Sequence, residues 1–166
     1  MNCRVVKSGL IVLAFCFIGA FSPLNVDANE FSASPQVKPE HKIRIGYLEG
    51  GPFQNYPPNL IAFVNGLAKL GWIQDPLFPD FADPTDTRAI WAWLVTHTRS
   101  DYLVFVEDGF YSNNWDKERR EKNKQALLKR LNANTDIDFM IAMGTWAGQD
   151  LASKQNQTPT MVLSSS

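Results

Sequence analysis

Residues 138–152, DFMIAMGTWAGQDLA, join a short apolar run to a second apolar segment through a Gly-Thr pair. The run from Phe139 to Met143 is typical of a strand buried on both faces of a parallel sheet. Gly144 and Thr145 interrupt it, and residues 146–152 resume with apolar residues at helical spacing, which predicts a helix. A strand that turns directly into a helix presents backbone N–H groups at the carboxyl edge of a sheet, where open α/β folds bind ligands.

The remaining sequence repeats this alternation of strand and helix. Predicted strands occupy residues 42–49, 101–107 and 160–163, and predicted helices follow Pro57-Pro58-Asn59, run from Thr85 or Asp86 to Thr98 and span residues 115–134. Residues 72–83 are interpreted as mostly irregular, and Asp108-Gly109 as the turn that ends the second strand. The order predicts an α/β fold with a doubly wound parallel sheet and helices on both faces.

The amino terminus has the layout of a secretory signal peptide. Arg4 and Lys7 precede an uncharged run over residues 10–21, and Val26-Asp27-Ala28 offers a cleavage site. The apolar run is shorter than the ~20 residues that span a bilayer, so a cleaved signal is favoured over a membrane anchor. We therefore expect a signal peptide at 1–28, an N-terminal linker at 29–41, an α/β ligand-binding lobe at 42–166, and a periplasmic location.

The composition offers few routes to catalysis. Cys3 and Cys16 both lie within the predicted signal peptide, so the mature chain would lack disulfides, thiolate nucleophiles and cysteine-ligated metals. The two histidines lie far apart, and no glycine pattern matches a nucleotide-binding motif, so neither a metal nor a cofactor is expected. A formal charge of −1 does not favour nucleic acid as a partner. Glu107 and Asp108 would leave a strand in opposite directions, which makes them a poor catalytic pair.

The residues that remain suit recognition of a small molecule. Helix N-terminal amides and hydroxyls suit a carboxylate, and aromatic rings can bury the rest of the ligand. The predicted ligand-binding residues are Glu49, Gly50, Gly51, Phe53, Gly144, Thr145, Trp146, Ser164 and Ser165, with Tyr56 and Tyr111 nearby. Two roles stay open at this stage: Glu49 would contact the ligand or be solvated, and Trp146 would stack on the ligand or pack on a neighbouring loop.

Taken together, DFMIAMGTWAGQDLA, TPTMVLSSS and KIRIGYLEGGP with LAKLGW resemble the substrate-binding proteins of ABC transporters, in their tryptophan/tyrosine-like group. The resemblance covers residues 42–166. It implies one lobe of a type I periplasmic-binding fold, in which two α/β lobes enclose a cleft. It also implies a small-molecule ligand, such as an amino acid, and an inner-membrane ABC permease with its ATPase as the partner.

Three departures from that family pattern matter. Trp146 stands where a small residue or proline is commoner, so the identity of the ligand does not carry over. Residues 73–100 form a longer connection than usual. Such proteins are about twice this length, which leads us to expect a chain truncated to most of its first lobe. Two alternatives are a ligand-sensing periplasmic module and an α/β enzyme.

Overall fold

The computed structural model describes residues 33–133 and 136–163. The predicted signal peptide at 1–28, residues 29–32 of the linker, and Ser164 and Ser165 lie outside this part of the chain. The strands are β1 (Ile43–Glu49), β2 (Leu103–Ser112), β3 (Phe139–Met143) and β4 (Thr160–Leu163). The helices are α1 (Tyr56–Lys69), α2 (Thr87–His97), α3 (Lys117–Ala133) and α4 (Gly144–Leu151). None of these helices has the length and apolar character needed to cross a membrane.

The four strands form one sheet in the order β2-β1-β3-β4, and every neighbouring pair is parallel. This confirms the predicted α/β class with a parallel sheet. β2 pairs with one edge of β1, and β3 pairs with the other edge of β1. The strand order therefore reverses at β1 and β3, and their carboxyl ends border the crevice where doubly wound folds bind ligands.

Two apolar clusters cover the two faces of the sheet. Ile45 and Tyr47 of β1 pack with α1 and α2, whereas Leu48 packs with α3 and α4. In β3, the apolar side chains are likewise divided between the two clusters. Because successive side chains of a strand point to opposite faces, this division places helices on both sides of the sheet, as predicted.

Local sequence explains where the first two helices begin and end. Prolines in the first turn of α1 occupy positions where an N–H would have no helical partner. At its end, Gly71 adopts a φ of 81° and the Trp72 N–H donates to the Leu67 carbonyl, which is a Schellman motif. The Asp86 carboxylate accepts bonds from the Arg88 and Ala89 N–H groups and caps α2.

The prediction of a turn at Asp108-Gly109 was wrong, because β2 continues through both residues to Ser112. Ile45 pairs with Phe105 whereas Tyr47 pairs with Phe110, so several residues of β2 bulge opposite one residue of β1. Arg130 of α3 donates to both the carbonyl and the carboxylate of Asp108. Turns and bulges favour the same residue types, and here the bulged residues contact α3 through Arg130.

Candidate ligand-binding site

The loops after β1 and β3 lie side by side at the switch point of the sheet. Glu49 pairs with Met143 at the ends of the two strands, so the segments that begin at Gly50 and Gly144 leave the sheet together. A Cβ atom placed on Gly50 would lie 3.3 Å from the Trp146 Cβ. The structure thus brings together two segments that the sequence separates by more than ninety residues.

A cavity of about 300 Å³ opens between these two loops. Its lining residues are Phe53, Tyr56, Trp115, Thr145 and Trp146. Phe53 and Trp115 are exposed and Tyr56 is buried, so the cavity has an open rim and a closed floor. Four of these five residues were predicted near the recognition edge, and Trp115 is the addition.

The role expected of the glycines was to let the backbone approach a ligand closely, and protein side chains occupy that space instead. A Cβ on Gly50 or Gly51 would lie 2.7 Å from atoms of Trp115. Gly144 has a φ of 81°, and a Cβ there would meet the Tyr56 hydroxyl oxygen at 1.9 Å. These glycines therefore let Trp115 and Tyr56 approach the backbone, and they shape the cavity indirectly.

Trp115 takes this position because of the backbone ahead of α3. Asn114 and Trp115 have φ values of 48° and 58°, a conformation that few residues other than glycine adopt. The Trp115 N–H donates to the Gly50 carbonyl at 2.8 Å, and its indole N–H donates to the Pro52 carbonyl at 2.9 Å. The sequence predicted a helix from residue 115, whereas α3 begins at Lys117 and leaves Trp115 in the segment before it.

Trp146 packs on the neighbouring loop through Trp115 and also lines the cavity, while its stacking on a ligand stays a prediction. Its ring meets Trp115 edge-on with centroids 5.7 Å apart, and the Arg120 guanidinium carbon lies 4.7 Å from its centroid. Arg120 is held in place by Asp150, to which it donates at 2.8–3.1 Å. Hydrogen bonding to Asp150 raises the pKa of Arg120, so the guanidinium stays charged.

Glu49 is neither solvated nor at the mouth of the loop, because its side chain is buried beneath the sheet edge. Its carboxylate accepts hydrogen bonds from the Tyr47, Thr87 and Ser112 hydroxyls, the first at 2.9 Å and the last at 2.7 Å. Burial, with the Glu49 charge as a second cause, raises the pKa of Tyr47 well above its ordinary value. Glu49 therefore ties β1, β2 and the start of α2 together below the cavity.

The Tyr56 hydroxyl is a polar group directed at the cavity. Tyr56 is 4% exposed, and no residue within the described ranges forms a hydrogen bond with its hydroxyl. Burial and the nearby Glu49 raise the pKa of Tyr56, so the hydroxyl remains a donor at neutral pH. The hydroxyl oxygen itself is not sealed off, because it opens onto the cavity, so a group of a ligand or water can bond to it.

The other predicted site residues do not join this cavity. Tyr111 lies with the opposite cluster, where its hydroxyl accepts a bond from Arg130 at 2.9 Å. Ser164 and Ser165 follow β4 and lie outside the described residues. A second, more polar cleft of about 490 Å³ lies at the end of β2 and includes Arg88, Arg119 and Lys122 in its lining.

Comparisons with protein-family models, with curated proteins and with solved structures returned no match.

Proposed function

We propose that this chain is the exported solute-binding component of an ABC importer and that it binds a small molecule non-covalently. The observation that carries the proposal is the cavity between the ends of β1 and β3, with its aromatic lining and a Tyr56 hydroxyl that bonds to no other residue in the described part of the chain. Ligand sites in open α/β folds occupy this position. The resemblance of residues 42–166 to ABC substrate-binding proteins supplies the biological role.

The chemistry of the cavity suits a carboxylate-bearing ligand such as an amino acid. The first-turn N–H groups of α4 have no partner within the helix, and they carry its positive dipole end. The hydroxyls of Tyr56 and Thr145 lie in the same lining and can donate to a carboxylate. The rings of Phe53, Trp115 and Trp146 provide apolar surface for the remainder of the ligand.

Within the resemblance, this sheet would be one lobe of a two-lobe binding protein, and the cavity would be one wall of the cleft between the lobes. Closure of two lobes around a ligand is the hinge motion by which such proteins sequester it. Because one wall contacts only part of a ligand, we expect this lobe by itself to bind with a dissociation constant in the millimolar range. A millimolar dissociation constant corresponds to about 4 kcal/mol of binding free energy.

Binding can be tested by titrating amino acids and other small carboxylates while following tryptophan fluorescence. We expect a saturable change that Trp146→Phe reduces, because Trp146 lines the cavity. Trp93→Phe is the matched control, since Trp93 packs against Phe78 and His97 away from the cavity. A saturable change that disappears in the Trp93 variant and persists in the Trp146 variant would contradict the assignment of this cavity.

Export and partnership need separate tests. We expect the chain to appear in the periplasmic fraction with residues 1–28 removed, which mass spectrometry of the purified protein would show. Uptake of a labelled ligand should require this chain together with a permease and its ATPase. A processed chain that binds ligand without affecting uptake would favour the sensory alternative over transport.

A further inference from the structure

Four aromatic rings surround the cavity and contact one another around its wall. The centroid distances are 5.3 Å for Phe53 and Tyr56, 6.4 Å for Tyr56 and Trp115, and 5.7 Å for Trp115 and Trp146. Phe53 also meets Trp115 at 6.5 Å. These four rings form a continuous lining, which we call the aromatic cage. Tyr56 lies at its base, and Thr145 lines the same cavity beside it.

The rings of the aromatic cage are all tilted against their neighbours, by 41° to 82°. Elsewhere in the chain parallel pairs do form, as between Trp93 and His97, whose planes differ by 3°. A planar aromatic ligand is best held between parallel ring faces, and no neighbouring pair in the cage offers such a slot. Tilted faces around a cavity suit a compact, rounded group instead.

The electrostatics of the aromatic cage favour a positive group. None of the five residues that line the cavity carries a formal charge, and the Glu49 carboxylate is near enough to Tyr56 to raise the pKa of its hydroxyl. The Arg120 guanidinium sits against Trp146, but Asp150 pairs with it through two nitrogens and offsets its charge. Aromatic faces attract cations through the ring quadrupole, and several faces around one ion add their effects.

Hydrogen-bonding capacity selects among cations. A primary ammonium needs acceptors for three N–H donors, whereas the side chains of the aromatic cage supply only the hydroxyls of Tyr56 and Thr145 as acceptors. The indole N–H of Trp115 is itself a donor and is already used by the Pro52 carbonyl. An alkylated ammonium has no N–H groups to satisfy, so its burial in this cavity leaves no donor unpaired.

Building on the proposed function, we infer that the ligand is a betaine-type zwitterion, with its alkylated ammonium in the aromatic cage and its carboxylate at the start of α4. The two groups have separate partners in the crevice. Methyl groups on nitrogen contact the rings of Phe53, Trp115 and Trp146, and the carboxylate accepts from the first-turn amides and the Tyr56 hydroxyl.

Isothermal titration calorimetry with matched probes tests this inference. Glycine betaine and 3,3-dimethylbutanoate share a shape and a carboxylate, and they differ in whether the central atom of the bulky group is charged nitrogen or neutral carbon. We expect glycine betaine to bind at least about fivefold more tightly, which is the scale of a partly desolvated cation–π contact. Equal or weaker binding of glycine betaine overturns the inference.

The outcome also separates this inference from the proposed function. Binding of tryptophan or 3,3-dimethylbutanoate without binding of glycine betaine would overturn the cation assignment alone and leave a carboxylate-binding site. If none of these probes, nor any of the carboxylates in the fluorescence titration, binds the purified chain, both proposals fail.

Variants of Trp115 test whether the preference for glycine betaine arises at this ring. Trp115→Phe keeps an aromatic face and should preserve most of the preference for glycine betaine, whereas Trp115→Leu keeps the apolar surface and should remove much of it. The ratio of the two affinities is measured within each variant, so a general weakening of the fold affects both probes alike. An unchanged ratio in Trp115→Leu would show that the cation does not contact this ring.

Discussion

Replacing Gly144 by alanine should disturb the floor of the cavity and lower the stability of the fold. Gly144 has a φ of 81°, where an L-residue with a Cβ costs about 1–2 kcal/mol. The new Cβ would also lie 1.9 Å from the Tyr56 hydroxyl oxygen and 2.8 Å from the carbon that bears it. Moving the Tyr56 ring aside is an overpacking effect worth a further ~1–3 kcal/mol.

Gly71 provides a matched control for this substitution. It has the same φ of 81°, and a Cβ placed there would meet no atom within 4 Å. Gly71→Ala should therefore show only the backbone cost, and Gly144→Ala should be less stable than it by about 1–3 kcal/mol. Urea unfolding followed by far-UV circular dichroism measures both variants, with equal slopes as the check that the same surface unfolds.

The hydroxyl of Tyr56 should account for part of that difference. In a Tyr56→Phe background the closest contact becomes the ring carbon at 2.8 Å, so the penalty of Gly144→Ala should shrink without disappearing. Equal losses of stability in Gly144→Ala and Gly71→Ala would refute the reasoning, because they would show that Tyr56 does not lie against Gly144.

Three further substitutions test the network around the cavity. Arg120→Met should lower the free energy of unfolding by about 2–3 kcal/mol in urea, because it leaves the Asp150 carboxylate buried without its main partner. Adding Asp150→Leu to this variant should recover most of the lost stability. Strictly additive losses would count against a coupled pair. Glu49→Ala should cost about 3 kcal/mol, because it leaves the buried hydroxyls of Tyr47 and Thr87 without their acceptor, whereas the half-buried Ser112 hydroxyl keeps Asn114. Glu49→Gln should cost less, and a neutral Glu49→Ala would contradict the buried network. Hydrogen bonds from Arg44 lower the pKa of Asp138 below its ordinary value of 3.8. The unfolded chain therefore binds a proton that the folded chain does not, and stability should fall as the pH drops through 3.8 towards the lowered folded-state pKa. Asp138→Asn should lose less stability over this range, and equal pH profiles would show that Asp138 is not responsible.

The centre of the sheet could be predicted from the sequence because β1 and β3 are largely buried on both faces. Runs such as residues 139–143 are apolar without interruption, and helices at matched spacing separate them. The helix caps could also be predicted, because aspartate at the start of a helix and glycine at its end are typical capping residues, as Asp86 and Gly71 are here. These features depend on neighbours in the chain, so a local pattern is enough to reveal them.

The parts that the sequence could not predict all depend on distant contacts. The sequence left open whether Glu49 is solvated or contacts a ligand. In the folded chain, Thr87 and Ser112 bring hydroxyls to its carboxylate from two other elements. Arg120 belongs to a run of charged residues, and only the fold shows that it meets both Trp146 and the buried Asp150, a carboxylate that Lys124 also approaches at 3.8 Å. Such pairings follow from the register of β1, β2 and β3, which sequence spacing does not specify.

Mapping a bound ligand by backbone amide chemical shifts would test the central claim most directly, namely that the crevice between β1 and β3 is the ligand site. The carboxylate that binds best in the fluorescence titration would be added to the ¹⁵N-labelled chain. We predict that the shifted amides cluster at residues 50–56, at Trp115 and at residues 144–146. Shifts concentrated instead around Arg88 and Arg119, in the cleft at the end of β2, would contradict the account.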